Sequence, residues 1–455
     1  MQTASRPPTP AGRGRLLSIL GVGFGLAVAI GNTIAAGIVR TPGEIASQLA
    51  NPWLFLGVWL AGGLYALLGA FSLAELATMI PRSGGQYVYA RRALGPYAGF
   101  IVGWSDWLST CGTAAAVAIV IGEYSGALVP ALAGKTTAIA LSVTIAFAAL
   151  QWRGVRWGSR TQELTAALKT LAFVALVVAC FALGGGGAAA KAAAPAAHAP
   201  AGLALAVAAV LSLQAVIYTY DGWDGVIYFS EELRNPAREL PRAMFGSVLS
   251  IAAIYLLLNA ALVYVLPMRD IAGQKFALGL AAERVFGVHG DALVRGVMVL
   301  SLLSGINAYH LLASRVLYAM SRDALFSRRA AKVNPGGTPV FALFCSAGIA
   351  ATFIVTGTFE TVTEMLAFFF VANYTMSFIS VFVLRRRERE APRPYRALGY
   401  PWTTGIALAG SVAFLVGAIS SDIATRKWYS VYALVLLALS YPVYRLIRAP
   451  DSVAD

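Results

Sequence analysis

The chain has 455 residues, 58% of them hydrophobic and only 12% charged, with a mean hydropathy of +0.70 and a formal net charge of +14. Charged residues make up about 25% of an ordinary soluble domain, so this composition excludes one. Apolar stretches of the roughly 20 residues needed to cross a bilayer recur along the whole length, without the short alternating segments of a membrane β-barrel; the fold class is an all-α polytopic membrane protein.

The N-terminus, "MQTASRPPTPAGRGR" before an apolar run, has the charged and hydrophobic parts of a signal peptide. The run leads into many further spans and so reads as an uncleaved first helix. Twelve transmembrane helices are predicted, at roughly 16–41, 53–79, 97–127, 136–151, 161–183, 202–229, 241–265, 292–320, 339–357, 360–384, 402–420 and 429–447. With the N-terminus inside, the inner segments carry 25 basic residues and the outer ones eight. That bias places both termini in the cytoplasm and explains the positive charge without nucleic acid.

The first span contains "AVAIGNTIAAGIVRTPG" (27–43), where Gly31, Asn32, Thr33 and Gly37 interrupt the apolar run and Arg40, Thr41 and Pro42 close it. Span six, "LSLQAVIYTYDGWDGVIYFSEELRNP" (211–236), holds two aspartates and two glycines in its middle. Interrupted segments at matching positions of two halves point to a transporter site. Spans 1–5 and 6–10 then form a 5+5 inverted repeat, with two peripheral helices. The expected organisation is a tail 1–15, a first repeat 16–183, an external low-complexity loop 184–201 and a second repeat 202–384. A basic linker 385–401, two peripheral helices 402–447 and a tail 448–455 follow.

Non-helical backbone survives at bilayer depth only where protein or a water-filled cavity surrounds it, so 31–37 and 220–225 are expected to face inward and each other. Exposed N–H groups at the start of the outer half of span one attract an anion such as a carboxylate. Free carbonyls where the first half of span six ends attract a cation such as an ammonium. Two such ends a few ångströms apart suit the backbone of an α-amino acid; the other reading is a pair of glycine-rich packing faces.

Lys169 lies nine residues beyond Arg160, hence about 13 Å deep at about 1.5 Å per residue, near the centre of the hydrocarbon. A cation there exchanges protons, takes the place of a bound metal cation, or braces free carbonyls. Asp221 and Asp224 either hold an ammonium or a proton, or form the turn through their own side-chain hydrogen bonds. Glu75 and Glu163 read as interfacial, and Asp106 in "GWSDWLST" is deep but has no assigned role. Asn307, Tyr309, His310 and Ser314 of span eight are candidates to line the cavity opposite span one, with His310 read as a hydrogen-bonded core residue. Cys111, Cys180 and Cys345 fall in apolar spans without metal-type spacing, and "RRRERE" (385–390) reads as a stop-transfer cluster. No cofactor, metal or catalytic cluster is indicated, so the chain is not read as an enzyme.

At the two interrupted spans the chain resembles the amino acid–polyamine–organocation (APC) superfamily, with its leucine-transporter-like fold, and bacterial relatives of the L-type amino acid transporters most of all. "YDGWDGVIYFSEELRNPARELPRAM" (220–244) is similar to the family's Tyr-x-Gly-Trp…Glu-Glu…Asn-Pro…Leu-Pro pattern, and "GQYVYARRALGPYAGFIVGW" (85–104) extends the likeness. The resemblance implies that backbone around Ala35, Ala36 and Gly37 binds a substrate carboxylate, with Asn32 and Thr33 beside it. Backbone around Tyr218, Thr219 and Asp221 then receives the amino group, Tyr218 is the aromatic gate, and Asp224 stands where some cationic carriers have an acid. Lys169 matches the lysine that fills the second sodium site in sodium-independent members, favouring exchange or proton coupling. Two departures stand out: the usual Gly-Ser-Gly is here Ala35-Ala36-Gly37, and "GALVPALAGK" (126–135) lacks the cysteine that bonds a heavy chain, so no such partner is expected.

The expectation is therefore a sodium-independent amino acid transporter of a bacterial inner membrane, working by alternating access. A proton-coupled carrier of cationic amino acids or polyamines is the alternative, and a membrane sensor or channel is more remote.

Overall fold

The computed structural model describes residues 16–35, 37–184, 201–357, 359–425 and 428–448. Ala36, both outer tails and most of the 184–201 loop lie outside them. In chain order the helices are α1 (Val22–Thr33), α2 (Gly37–Gln48), α3 (Pro52–Met79), α4 (Gln86–Leu94), α5 (Pro96–Leu128), α6 (Thr136–Trp152), α7 (Val155–Leu183) and α8 (Leu203–Tyr220). They continue with α9 (Pro236–Val265), α10 (Met268–Ile271), α11 (Ala277–Phe286), α12 (Gly290–Arg322), α13 (Val340–Thr356), α14 (Phe359–Arg387), α15 (Trp402–Thr425) and α16 (Tyr429–Arg448). The protein is an all-α polytopic membrane protein. Among the described residues the sheet pattern is limited to one isolated parallel bridge, Leu20 to Leu233.

Among the described residues nine helical segments are long and apolar enough to cross a membrane, or ten when the bent pair α1–α2 counts as one span. The sequence predicts twelve. The difference falls on α6 and α13, apolar helices of 17 residues each, whose length of about 26 Å is just short of a hydrocarbon core of about 30 Å.

Local chemistry sets the helix ends. Asn51 caps α3, its side chain accepting from Trp53 N at 2.8 Å and Leu54 N at 3.2 Å, with Pro52 at the first helical position. Between α6 and α7, Gly154 has φ +128° and packs on the backbone of Gly336, where a Cβ would lie 2.8 Å from the Gly336 carbonyl oxygen. That close approach lets Val155 N donate to Gly336 O at 2.8 Å, and any side chain would break it.

α5 and α12, each 33 residues long, pack against one another through the middle of the bundle. Around them α1 packs on α7, α9 and α12, α2 on α8, and α14 on α5. α15 and α16 sit at the rim, with 17% and 22% of their most apolar windows buried against 72% for α5.

One end of the bundle is rich in arginine and tightly paired. Glu75, read from sequence as interfacial, is buried and accepts from Arg385, from Arg393 at 3.2 Å and from Ala397 N at 2.7 Å. The last turn of α14 and the segment after it thus close onto α3. Asp323, just after α12, pairs with Arg82 and Arg91, both at 3.1 Å. Arg315, counted from sequence among the inner loop charges, is 1% exposed and forms a bidentate pair with fully buried Glu232, both contacts 3.0 Å. Glu232 O also accepts from Leu20 N at 2.9 Å, and Leu20 O from Arg234 N at 3.2 Å. The chain entering α1 and the chain leaving the second break are thereby tied together.

Removing one partner of a buried ion pair strands the other charge, at about 3–5 kcal/mol. Arg315→Ala should therefore lower the thermal stability of the detergent-purified protein sharply. The double variant Glu232→Gln/Arg315→Met should recover much of the loss, as a melting curve would show.

Candidate substrate site at the two helix breaks

The first break separates α1 from α2, whose axes differ by 47°. A helix end at this depth exposes carbonyls that lipid cannot satisfy. Donors from three other helices meet five consecutive ones. Lys169 Nζ, on α7, donates to Ile34 O at 2.6 Å, Gly31 O at 3.2 Å and Ile30 O at 3.5 Å. Tyr309 Oη, on α12, donates to Asn32 O at 2.8 Å, and Ser301 Oγ to Ile34 O at 3.2 Å. Tyr255 Oη, on α9, lies 2.9 Å from Thr33 O and 3.1 Å from Thr219 O, so one hydroxyl bridges both breaks.

Lys169 is completely buried, and among the described residues no carboxylate pairs with it. Its ammonium sits in a cage of neutral oxygens, an environment suited to a small monovalent cation. Beside it Gln162 Nε2 donates to Ala27 O at 2.9 Å, and Asn307 Nδ2 to Gln162 Oε1 at 2.8 Å.

The second break follows α8. Gly222 takes φ +103°, and a Cβ there would come within 2.6 Å of the Asn32 side chain. Asn32 Nδ2 donates to Gly222 O at 3.3 Å, and the hydroxyls of Thr41 and Thr219 are 2.7 Å apart. The two breaks face each other directly.

Between them is a small cavity. Asn32, Thr33, Ala35 and Gly37 line it from the first break, and Tyr218, Thr219 and Asp221 from the second. Asp224 lines a neighbouring cavity instead, and Lys169 stands behind the first break without reaching either. Ala36 is outside the described residues. Of the span-eight candidates Tyr309 lines the cavity; Asn307 belongs to the Gln162 cluster, His310 Nε2 lies 3.1 Å from Thr144 O, and Ser314 bonds Leu311 O.

The sequence reading missed the wall opposite, formed by Thr113, Ala116 and Val117 of α5 and Phe370 of α14. Their signals were the small-residue run "GTAAAVA" (112–118) and the aromatic cluster "FFFVANY" (368–374). The rings of Phe370 and Tyr218 are 6.4 Å apart across the cavity. Among the described residues Asn32 Oδ1 and Thr33 Oγ1 are buried without a hydrogen-bond partner.

An amino acid permease family model matches residues 16–439. The serine/threonine exchanger SteT of Bacillus subtilis (strain 168) is 28% identical over 412 residues, which cover 89% of this chain and 91% of that protein. The b(0,+)-type amino acid transporter 1 of Homo sapiens is 25% identical, covering 92% and 85%. The human large neutral amino acids transporter small subunit 2 is 26% identical, covering 81% and 70%. With the family match running almost end to end, over helices interrupted at the two places where the cavity lies, the chain belongs to the amino acid permease family, whose members are transporters.

Proposed function

We propose that the protein exchanges amino acids across a bacterial plasma membrane without sodium, by alternating access, holding the substrate between the two breaks. N–H groups at the start of α2 receive the carboxylate, carbonyls at the end of α8 receive the amino group, and Tyr218 with Phe370 closes over the bound molecule. The observation that carries the sodium independence is the Lys169 ammonium among the carbonyls of Ile30, Gly31 and Ile34. A fixed positive charge there does the electrostatic work of a bound metal cation, so the first break keeps its shape without one.

Exchange, rather than proton symport, is favoured because SteT is named an exchanger and is similar over most of both chains. The arginine bias supports termini in the cytoplasm. The 5+5 arrangement, with 16–183 and 202–384 as repeats, is supported by the matched positions of the two breaks. Cys111 and Cys180 are buried and Cys345 is partly so, which supports function without a disulfide-linked partner.

Purified protein in sodium-free proteoliposomes should show saturable counterflow with at least one amino acid from an unlabelled panel; none for any amino acid or amine would refute transport. Lys169→Ala should insert normally and lose counterflow at least tenfold, whereas wild-type rates would remove the lysine from the mechanism. Tyr255→Phe, which deletes the hydroxyl shared by the two breaks, should raise KM by roughly three- to tenfold, the range set by about 1 kcal/mol for a buried hydrogen bond, in the same counterflow assay.

A further inference from the structure

The corner where α6 turns into α7 carries charge that the fold itself does not use. Arg153, Arg156 and Arg160 are exposed, and among the described residues none of them forms an ion pair. Glu163 is the one acid between residues 151 and 171; it is exposed too and pairs with none of the three. Elsewhere at the arginine-rich end, Arg82, Arg92, Arg322 and Arg385 each meet a carboxylate.

The backbone that presents these arginines is fixed. Val155 N donates to Gly336 O at 2.8 Å, Asn334 Nδ2 to Trp152 O at 2.7 Å and Thr338 Oγ1 to Gln151 O at 2.8 Å. The Gln151 side chain is buried and donates to Asn307 Oδ1. A turn already held from both sides loses little freedom when a ligand binds to it.

Along α7 the exposed residues Arg156, Arg160, Leu164 and Leu168 follow at intervals of four, which puts them in one row on one face of the helix. Arg160 lies about 6 Å beyond Arg156, and Leu168 about 12 Å beyond Arg160. Two cations thus stand at the foot of two leucines on a helix long and apolar enough to cross a membrane. Trp157, 54% exposed, lies beside the row, and Trp152, 56% exposed, meets Phe344 of α13 with ring centroids 6.3 Å apart. Exposed tryptophans mark the level where headgroups meet hydrocarbon, so the arginines sit at headgroup depth.

We infer that this corner binds one anionic phospholipid of the adjacent leaflet. Arg156 and Arg160 hold its phosphate with Arg153 beside them, and an acyl chain lies along Leu164 and Leu168. The order of the row selects the occupant. A soluble phosphate gains nothing from the leucines, and a zwitterionic lipid brings an ammonium that the arginines repel. Basic clusters next to a membrane-crossing helix attract anionic headgroups for the same electrostatic reason. The inference holds whichever substrate the protein carries.

The test is mass spectrometry of the intact protein in neutral detergent, titrated with phosphatidylglycerol or phosphatidylcholine of matched acyl chains. Wild-type protein should bind one phosphatidylglycerol at least tenfold more tightly than phosphatidylcholine. Arg153→Gln/Arg156→Gln/Arg160→Gln should reduce that ratio at least fivefold. Arg386→Gln/Arg389→Gln/Arg396→Gln, which removes the same charge from exposed positions after α14, should leave it within twofold. Because both lipids are compared on one preparation, the ratio does not depend on how much variant folds. A wild-type ratio near one, a ratio unchanged in the first triple variant, or an equal fall in both would overturn the inference and leave only general interfacial charge. Displacement of phosphatidylglycerol by an equal concentration of glycerol 1-phosphate would overturn it in favour of a soluble phosphate. A lipid-free dimer that the first triple variant dissociates would overturn it in favour of a second copy of the chain.

Discussion

A helix interrupted in mid-membrane leaves backbone groups that hydrocarbon cannot solvate, and everything at the centre of this protein follows from how they are satisfied. Five consecutive carbonyls, Ile30 to Ile34, receive donors from Lys169, Tyr309, Tyr255 and Ser301, which belong to three different helices. The satisfied carbonyls fix the end of α1, and the bend that follows opens a cavity between the breaks. Donors from the protein itself thus meet the carbonyl side of the first break.

The two ends of the bundle are held unequally. At the arginine-rich end the bidentate Glu232–Arg315 pair is buried, and a backbone bridge joins Leu20 to Leu233. At the opposite end α2 meets α5 through Arg40 and Glu123 at 2.8 Å, with side chains 23% and 40% exposed. An exposed pair of that kind is worth about 1 kcal/mol or less. Breaking the first also strands charge in a dry site, so the two pairs differ in cost because they differ in burial.

Below the outer cavity, polar chemistry changes sign. The first break is closed by a lysine and three hydroxyls, whereas the second is surrounded by Asp106, Asp221 and Asp224 with neutral donors around them. Trp223 and Tyr374 stack at 5.5 Å with their planes 12° apart, walling this acidic region with rigid aromatic surface.

What the sequence determined by itself was local: the membrane class from composition, the breaks from glycine, asparagine and aspartate inside apolar runs, and the depth of Lys169 from its distance to Arg160. These depend only on neighbours along the chain, as did the marking of Asn32, Gly37 and Asp221 as interruptions of apolar spans. What tertiary structure decided was which faces met. α5 shows almost no amphipathic bias along its length, so its periodicity does not reveal that Thr113 and Val117 point at the breaks. Nor does any local pattern bring Tyr228 to Asp106 across 122 residues, or place one tyrosine, Tyr255, between Thr33 and Thr219. Those meetings depend on the rotation and crossing of packed helices, and only the assembled bundle sets them.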